Sequence, residues 1–156
     1  MSEPAFRIFD AEKTSTVADF LRAVCKDIPA TLPREKIAAA LDGFNATYGS
    51  SPDVHARCSY FSEELVFEDP IGISRGNTRE ALRSFFLGTL GSGLGLERSI
   101  VQRVITGDEA IERVHLNILP KDGQPASLPH IAHYVFDSAG QIKSLRVFFD
   151  INCIGQ

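Results

Sequence analysis

The run Leu65-Val66-Phe67-Glu68-Asp69-Pro70 places a carboxylate where an apolar stretch ends. Proline cannot donate to a sheet ladder and pushes the residue before it towards extended geometry, so Asp69 falls at the exit of a short strand, Leu65 to Glu68. A carboxyl group held there against apolar walls is partly desolvated. Desolvation of that kind raises a carboxyl pKa towards the range where it can exchange protons. The same residue in an Asx turn before proline would only close the strand exit. His130 is a second candidate for moving protons. Period-two alternation puts His130, Ala132, Tyr134 and Phe136 on one strand face, and an imidazole opposite Asp69 would form an acid–base pair titrating near neutrality. A lone histidine on an apolar face also serves as hydrogen-bonded structure. Glu112 shares the face of Val114 and either enters the same space or sits at its rim. The four histidines lack metal-ligand spacing, and no metal is expected.

These groups need elements to hold them. Val17, Phe20, Leu21 and Val24 recur at helical spacing behind Thr16 and Asp19, placed as a cap and its N3 acid. Ile28 to Pro33 breaks that helix, and Pro33 is suited to the first position of the next, whose apolar face is Ile37, Ala40, Leu41, Phe44 and Tyr48. Gly49-Ser50-Ser51-Pro52 repeats the interruption, and Val54, Cys58 and Phe61 give a third helix one face to bury. Asn77 and Glu80 read as the cap and N3 acid of a fourth helix carrying Leu82, Phe85, Phe86 and Thr89. The glycine run Gly91 to Gly95 ends it. A phosphate-cradling glycine loop follows a strand and opens a helix, whereas this one follows a helix, so a nucleotide role is not expected.

The last third is rich in β-branched and aromatic residues over 99–106, 110–119, 127–136 and 141–151. The turns Asp122-Gly123 and Asp137 to Gly140 are short enough to require antiparallel neighbours. Helices followed by a meander predict an α+β domain, an antiparallel sheet with helices packed on one face. Phe44, Phe61, Phe67, Phe86, Val114, Ala132, Val147 and Phe149 have the periods to line or support a space between sheet and helices. Arg113, His115 and Asn117 form the opposite, polar face, as do Arg146, Phe148 and Asp150, where an exposed aromatic among charges suggests a contact surface.

Composition narrows the class. A chain of 156 residues can bury one core without staples. The net charge is −4 and the sixteen Lys and Arg are scattered, which leaves no footprint for nucleic acid. No apolar run approaches the roughly 18 residues of a membrane span, and the first residues lack a signal-peptide pattern, so a cytoplasmic protein is expected. Cys25, Cys58 and Cys153 form no C-x-x-C pair and read as ordinary thiols. Residues 1–31 stand as an extension with one helix ahead of a domain over 32–156.

Phe61 to Gly72, with Glu68-Asp69-Pro70-Ile71-Gly72 at its centre, is followed by Arg75-Gly76 and a helix opening Asn77-Thr78-Arg79-Glu80-Ala81-Leu82. This pattern resembles the ketosteroid isomerases and their SnoaL-like relatives within the nuclear transport factor 2-like superfamily. The runs Gly123-Gln124-Pro125 and Tyr134 to Asp137, with Gly140-Gln141-Ile142, fall in the same register, and the resemblance covers roughly residues 35–150. It implies the cone-shaped fold, a small hydrophobic ligand, no cofactor, a homodimer, and Asp69 as a base carrying a proton between carbons of a steroid-like or polyketide-like ketone. The isomerases polarise that ketone with a tyrosine and a protonated aspartic acid. Ungapped register puts Asn45 and Ala132 at those positions, leaving Asn45, Tyr48 and Tyr134 as substitute donors. Two other readings stay open: a dehydratase or hydrolase using Asp69 with His130, and a non-catalytic small-molecule-binding domain.

Overall fold

In the computed structural model, which describes residues 16–155, three of four α-helices pack on one face of a six-stranded sheet and the first lies outside that layer. The helices are α1 (Val17–Lys26), α2 (Arg34–Ala46), α3 (Val54–Ser59) and α4 (Arg79–Gly91). The strands are β1 (Phe61–Glu68), β2 (Ser74–Thr78), β3 (Gly95–Thr106), β4 (Glu109–Leu119), β5 (Ala126–Phe136) and β6 (Ile142–Phe148). This is the expected α+β arrangement. The strands lie in the order β2-β1-β6-β5-β4-β3. Neighbours run antiparallel except β1 and β6, which pair in parallel through Val66↔Ser144, Phe67↔Leu145 and Glu68↔Arg146. The short turns of the last third dictate its antiparallel order, but they say nothing about a partner some eighty residues upstream.

The helix starts follow the capping logic with two shifts. The Thr16 hydroxyl accepts from the Asp19 amide, as expected. Pro33 is the extended residue just before α2 rather than its first helical one. At α4 the cap is Thr78, whose hydroxyl accepts from the Ala81 amide at 3.2 Å, and not Asn77. Asn77 is instead part of β2, an edge strand that pairs antiparallel with β1. Ser-Arg-Gly-Asn-Thr has no apolar alternation to announce a strand, and it needs none, because both faces of this edge are largely exposed. Phe61, expected on the third helix, opens β1 four residues earlier than the predicted strand. The Gly91 to Gly95 run turns from α4 into β3, with Gly93 at φ 78° supplying the left-handed position.

The core lies between α2, α3, α4 and the concave face of the sheet. Ile37, Leu41 and Phe44 project from α2, Val54 and Cys58 from α3, and Leu82 and Phe86 from α4, onto Val114, Ala132, Tyr134, Phe136, Leu145 and Val147. Phe44 is the centre of an edge-on aromatic cluster with Tyr48, Tyr60, Phe61 and Tyr134, an arrangement that adds about 0.5–1.5 kcal/mol per pair beyond burial. The α1 helix forms as its spacing predicts, but it does not bury its stripe. Val17 is 72% exposed and Leu21 55%. The chain behind α1 is tied down by Asp108 in the β3–β4 turn, whose carboxylate accepts from the Thr31 amide and hydroxyl and from the Leu32 amide.

Candidate functional site

One strand irregularity decides which side chains meet inside the cone. In β3, Arg98 and Arg103 are five residues apart, which strict alternation would place on opposite faces. A bulge at Val101 shifts the register between Ile100↔Val114 and Gln102↔Arg113, so both guanidinium groups turn inward. They meet Glu112 from β4, which is fully buried. Arg103 holds Glu112 Oε1 through Nε at 2.8 Å and Nη2 at 2.7 Å. Asn45 Nδ2 donates to both carboxylate oxygens at 3.1 and 3.2 Å, and the Tyr134 hydroxyl donates to Oε2 at 3.0 Å. Arg103 also reaches Asp42 at the surface. Burial, with Glu112 beside it, holds the Tyr134 phenol far above the ordinary tyrosine range, so it stays a donor.

This network accounts for two of the predicted donors. Asn45 and Tyr134 are brought together, but around Glu112 rather than around an open space. The ladder places Glu112 directly opposite Ala132. The strand position that lacks an acid therefore faces one on the neighbouring strand, where it accepts hydrogen bonds. Glu112 enters the interior, one of the two places the sequence allowed for it.

Towards the end of the β3–β4 hairpin where Gly95 pairs with Leu119, the interior opens into a cavity of about 230 Å³. Its apolar wall includes Phe67, Phe85, Phe86, Leu96, Leu116, Ile118, Leu145, Val147 and Phe149, and its polar groups are Tyr48, Asp69, Arg75, Thr89, Arg98 and His130. Of the predicted lining residues, Phe67, Phe86, Val147 and Phe149 reach it. Phe44, Phe61, Val114 and Ala132 do not; they are buried core beneath it. Alternation identifies the inner face but not the depth along it. A second cavity of about 290 Å³, lined in part by Arg57, shares Tyr48, Phe86, Thr89, Leu94 and Leu96 with the first. Asp108, which anchors the segment behind α1, sits at the opposite end of the hairpin from both.

Asp69 stands on the cavity wall at the end of β1. Its carboxylate receives no hydrogen bond from the described residues. The Asx turn is not formed, because the Ile71 amide donates to the Val147 carbonyl at 2.8 Å and Arg75 Nε binds the Asp69 backbone oxygen at 2.7 Å. Burial pushes the Asp69 carboxyl above the usual range, an effect opposed by Arg75 and Arg98. His130 is buried on the same wall, and its Nδ1 lies 3.1 Å from the Leu128 carbonyl. A carbonyl only accepts, so Nδ1 carries the proton and Nε2 keeps its lone pair.

Burial, with Arg98 nearby, lowers the His130 pKa to about 4. In the unfolded chain the same group titrates near 6.5, so between those values the unfolded state binds the extra proton. Stability from this group is complete above pH 6.5 and declines as pH falls towards 4, by about 3 kcal/mol in all. Urea unfolding of the wild type and His130→Gln at pH 7 and pH 4 checks this: the wild type is expected to lose more stability than the variant by that amount. Equal losses would remove buried neutral His130 from the account.

A six-stranded half-open sheet closed by helices, with a mostly apolar cavity and a few ionisable groups at one end, defines a cone-shaped α+β domain. The chain belongs to the SnoaL-like domain family, whose model matches residues 37–145. No curated protein matches it. Among solved structures it is similar to RV0760c from Mycobacterium tuberculosis, at 16% identity and a TM-score of 0.70 over 80% of this chain and 98% of that one. It is also similar to Δ5-3-ketosteroid isomerase from Mycobacterium sp., at 20% identity and a TM-score of 0.69 over 77% and 97%. A computationally designed 17-OHP binder aligns with 16% identity and a TM-score of 0.68 over 77% and 97%. RV0760c has further been solved in complex with estradiol-17beta-hemisuccinate. These likenesses bear on the fold, and among the described residues no helix is long and apolar enough to cross a membrane.

Proposed function

We propose that this domain binds a hydrophobic carbonyl compound in the 230 Å³ cavity and transfers a proton on it without a cofactor, with Asp69 as the base. One observation carries the reading: a carboxylate without hydrogen bonds, on an apolar wall, raised in pKa by desolvation. Such a group is costly to the fold and useful to a reaction that removes a proton from carbon. Tyr48 lines the same cavity and its hydroxyl has no partner among the described residues, which suits it to polarise the substrate oxygen. The steroid-related molecules named for the structural neighbours support a fused-ring substrate. The cavity is below the roughly 300–1,000 Å³ usual for ligand sites, so a ligand of steroid size would have to extend into the neighbouring 290 Å³ space that shares its wall.

A second reading is favoured by the commitment of Asn45 and Tyr134 to Glu112. With those donors spent, the cone serves as a binding site without turnover, or Asp69 and His130 act together in a dehydration or hydrolysis. Incubating the protein with a β,γ-unsaturated 3-ketosteroid and following conjugated-enone absorbance separates these. Absorbance growing above the buffer rate supports proton transfer on a ketone, and none removes steroid isomerisation. The reading also includes a homodimer through the outer sheet face, where Val104, Ile111 and Phe148 are exposed; sedimentation equilibrium giving a monomer would exclude it.

A further inference from the structure

Arg98 is the group that joins the buried network to the cavity, and its hydrogen bonding is incomplete. Its side chain is 7% exposed. A guanidinium carries five N–H donors. Only Nη2 is matched, donating to the Tyr134 hydroxyl at 3.1 Å. Nε is buried without a partner, and Nη1 donates to nothing among the described residues.

The acidic neighbour cannot complete the set. Glu112 Oε2 stands 3.8 Å from Nη2, beyond hydrogen-bond reach. A carboxylate offers about four acceptor positions, and those of Glu112 are taken by Arg103, by Asn45 twice and by Tyr134. Asp69 shares the cavity wall, but no hydrogen bond joins its carboxylate to Arg98. Faces of the Phe44 and Tyr48 rings lie 5.5 and 4.9 Å from the guanidinium carbon; they offset charge but do not accept N–H bonds as an oxygen does. Buried arginine donors are normally satisfied; Nε is closed off even from solvent, whereas Nη1 is unbonded without being closed off, so the acceptors for the outer N–H groups have to come from what fills the cavity.

We propose that the cavity selects a hydrophobic carboxylic acid, whose carboxylate is held by the unmatched N–H groups of Arg98. Two parallel N–H···O bonds to one carboxylate fit a planar guanidinium fork, whereas a lone ketone oxygen leaves most of its donors unmatched. The apolar remainder of the ligand lies against Phe67, Phe86, Leu116 and Val147. The inference rests on the cavity being a ligand site and narrows the substrate from neutral carbonyl compounds to acids that also carry the reacting group.

Calorimetric titration with 2-naphthoate and with methyl 2-naphthoate tests it, since both have two fused rings and only one has the charge. The wild type is expected to bind the acid roughly 10- to 100-fold more tightly. In Arg98→Met that preference is expected to fall below about twofold while the ester keeps its affinity. Should that variant fail to fold, the Arg98 Nη–H resonances of the wild type give the same answer: they are expected to shift with naphthoate and not with the ester, and no shift with naphthoate overturns the proposal. Equal affinity of the wild type for both compounds means that water completes Arg98; it overturns the acid preference and leaves the ligand site standing. Binding of neither compound overturns both.

Discussion

Asp69→Asn is expected to lower turnover of any substrate the domain isomerises by roughly 10²- to 10⁴-fold, the usual contribution of a positioned general base, with ligand affinity kept within about twofold. The amide is nearly the same size and cannot take a proton. Its effect on the fold should run the other way. The Asp69 carboxylate lies on an apolar wall with no hydrogen bond to offset its lost hydration, so a neutral side chain relieves a penalty, and thermal unfolding should occur at or above the wild-type temperature. A base must also be ionised to act. Because burial raises its pKa, wild-type turnover should climb with pH through a midpoint above the ordinary aspartate value of about 4. Steady-state kinetics on the pair, with isothermal binding to the variant, checks all three expectations. A variant that turns over at the wild-type rate removes Asp69 as the base.

Glu112→Ala is expected to cost about 3–5 kcal/mol of folding stability, the range for removing one partner of a buried ion pair. The carboxylate itself is not what suffers most; its neighbours are. Arg103 loses its inner partner, the Tyr134 hydroxyl and the Asn45 amide lose theirs, and the phenol stays fully buried. Against a typical total of about 5–15 kcal/mol, such a loss leaves a domain that unfolds at low urea. Glu112→Gln keeps an acceptor oxygen in the same place and should cost distinctly less. Equilibrium urea denaturation of both variants reads the difference. If alanine costs no more than glutamine, the network contributes little and Glu112 sits there for another reason.

The layout of the fold could be read from the chain because amphipathic period and turn chemistry are local properties. The Thr16 cap, the α2 face of Ile37, Leu41 and Phe44, and the inward set His130, Ala132, Tyr134 and Phe136 all follow from them. What could not be read depends on long-range geometry. The bulge at Val101 turns Arg98 and Arg103 to the same side, and without it alternation hides one of them. Arg98 also precedes the β-rich stretch 99–106, so spacing does not single it out; the strand in fact begins at Gly95. The Asn45 amide and the Tyr134 hydroxyl share a partner that lies on another strand, and only the register Glu112↔Ala132 reveals it. The stripe on α1 shows the opposite limit: periodicity says a helix can bury a face, not that it does.

The parallel pairing of β1 with β6 bears on how the chain reaches this state. The meander from β3 to β6 joins neighbours through short turns and can zip up from its own hairpins. The final seam is different. β1 leaves the ribosome well before β6 and has to wait for it before Phe67 finds Leu145. Until then β1 can pair with β2 on one side only, and its other edge stays open, the kind of exposure that favours association between nascent chains. Synthesis speed and chaperone access in that interval, more than final stability, should set how much of this protein accumulates in folded form.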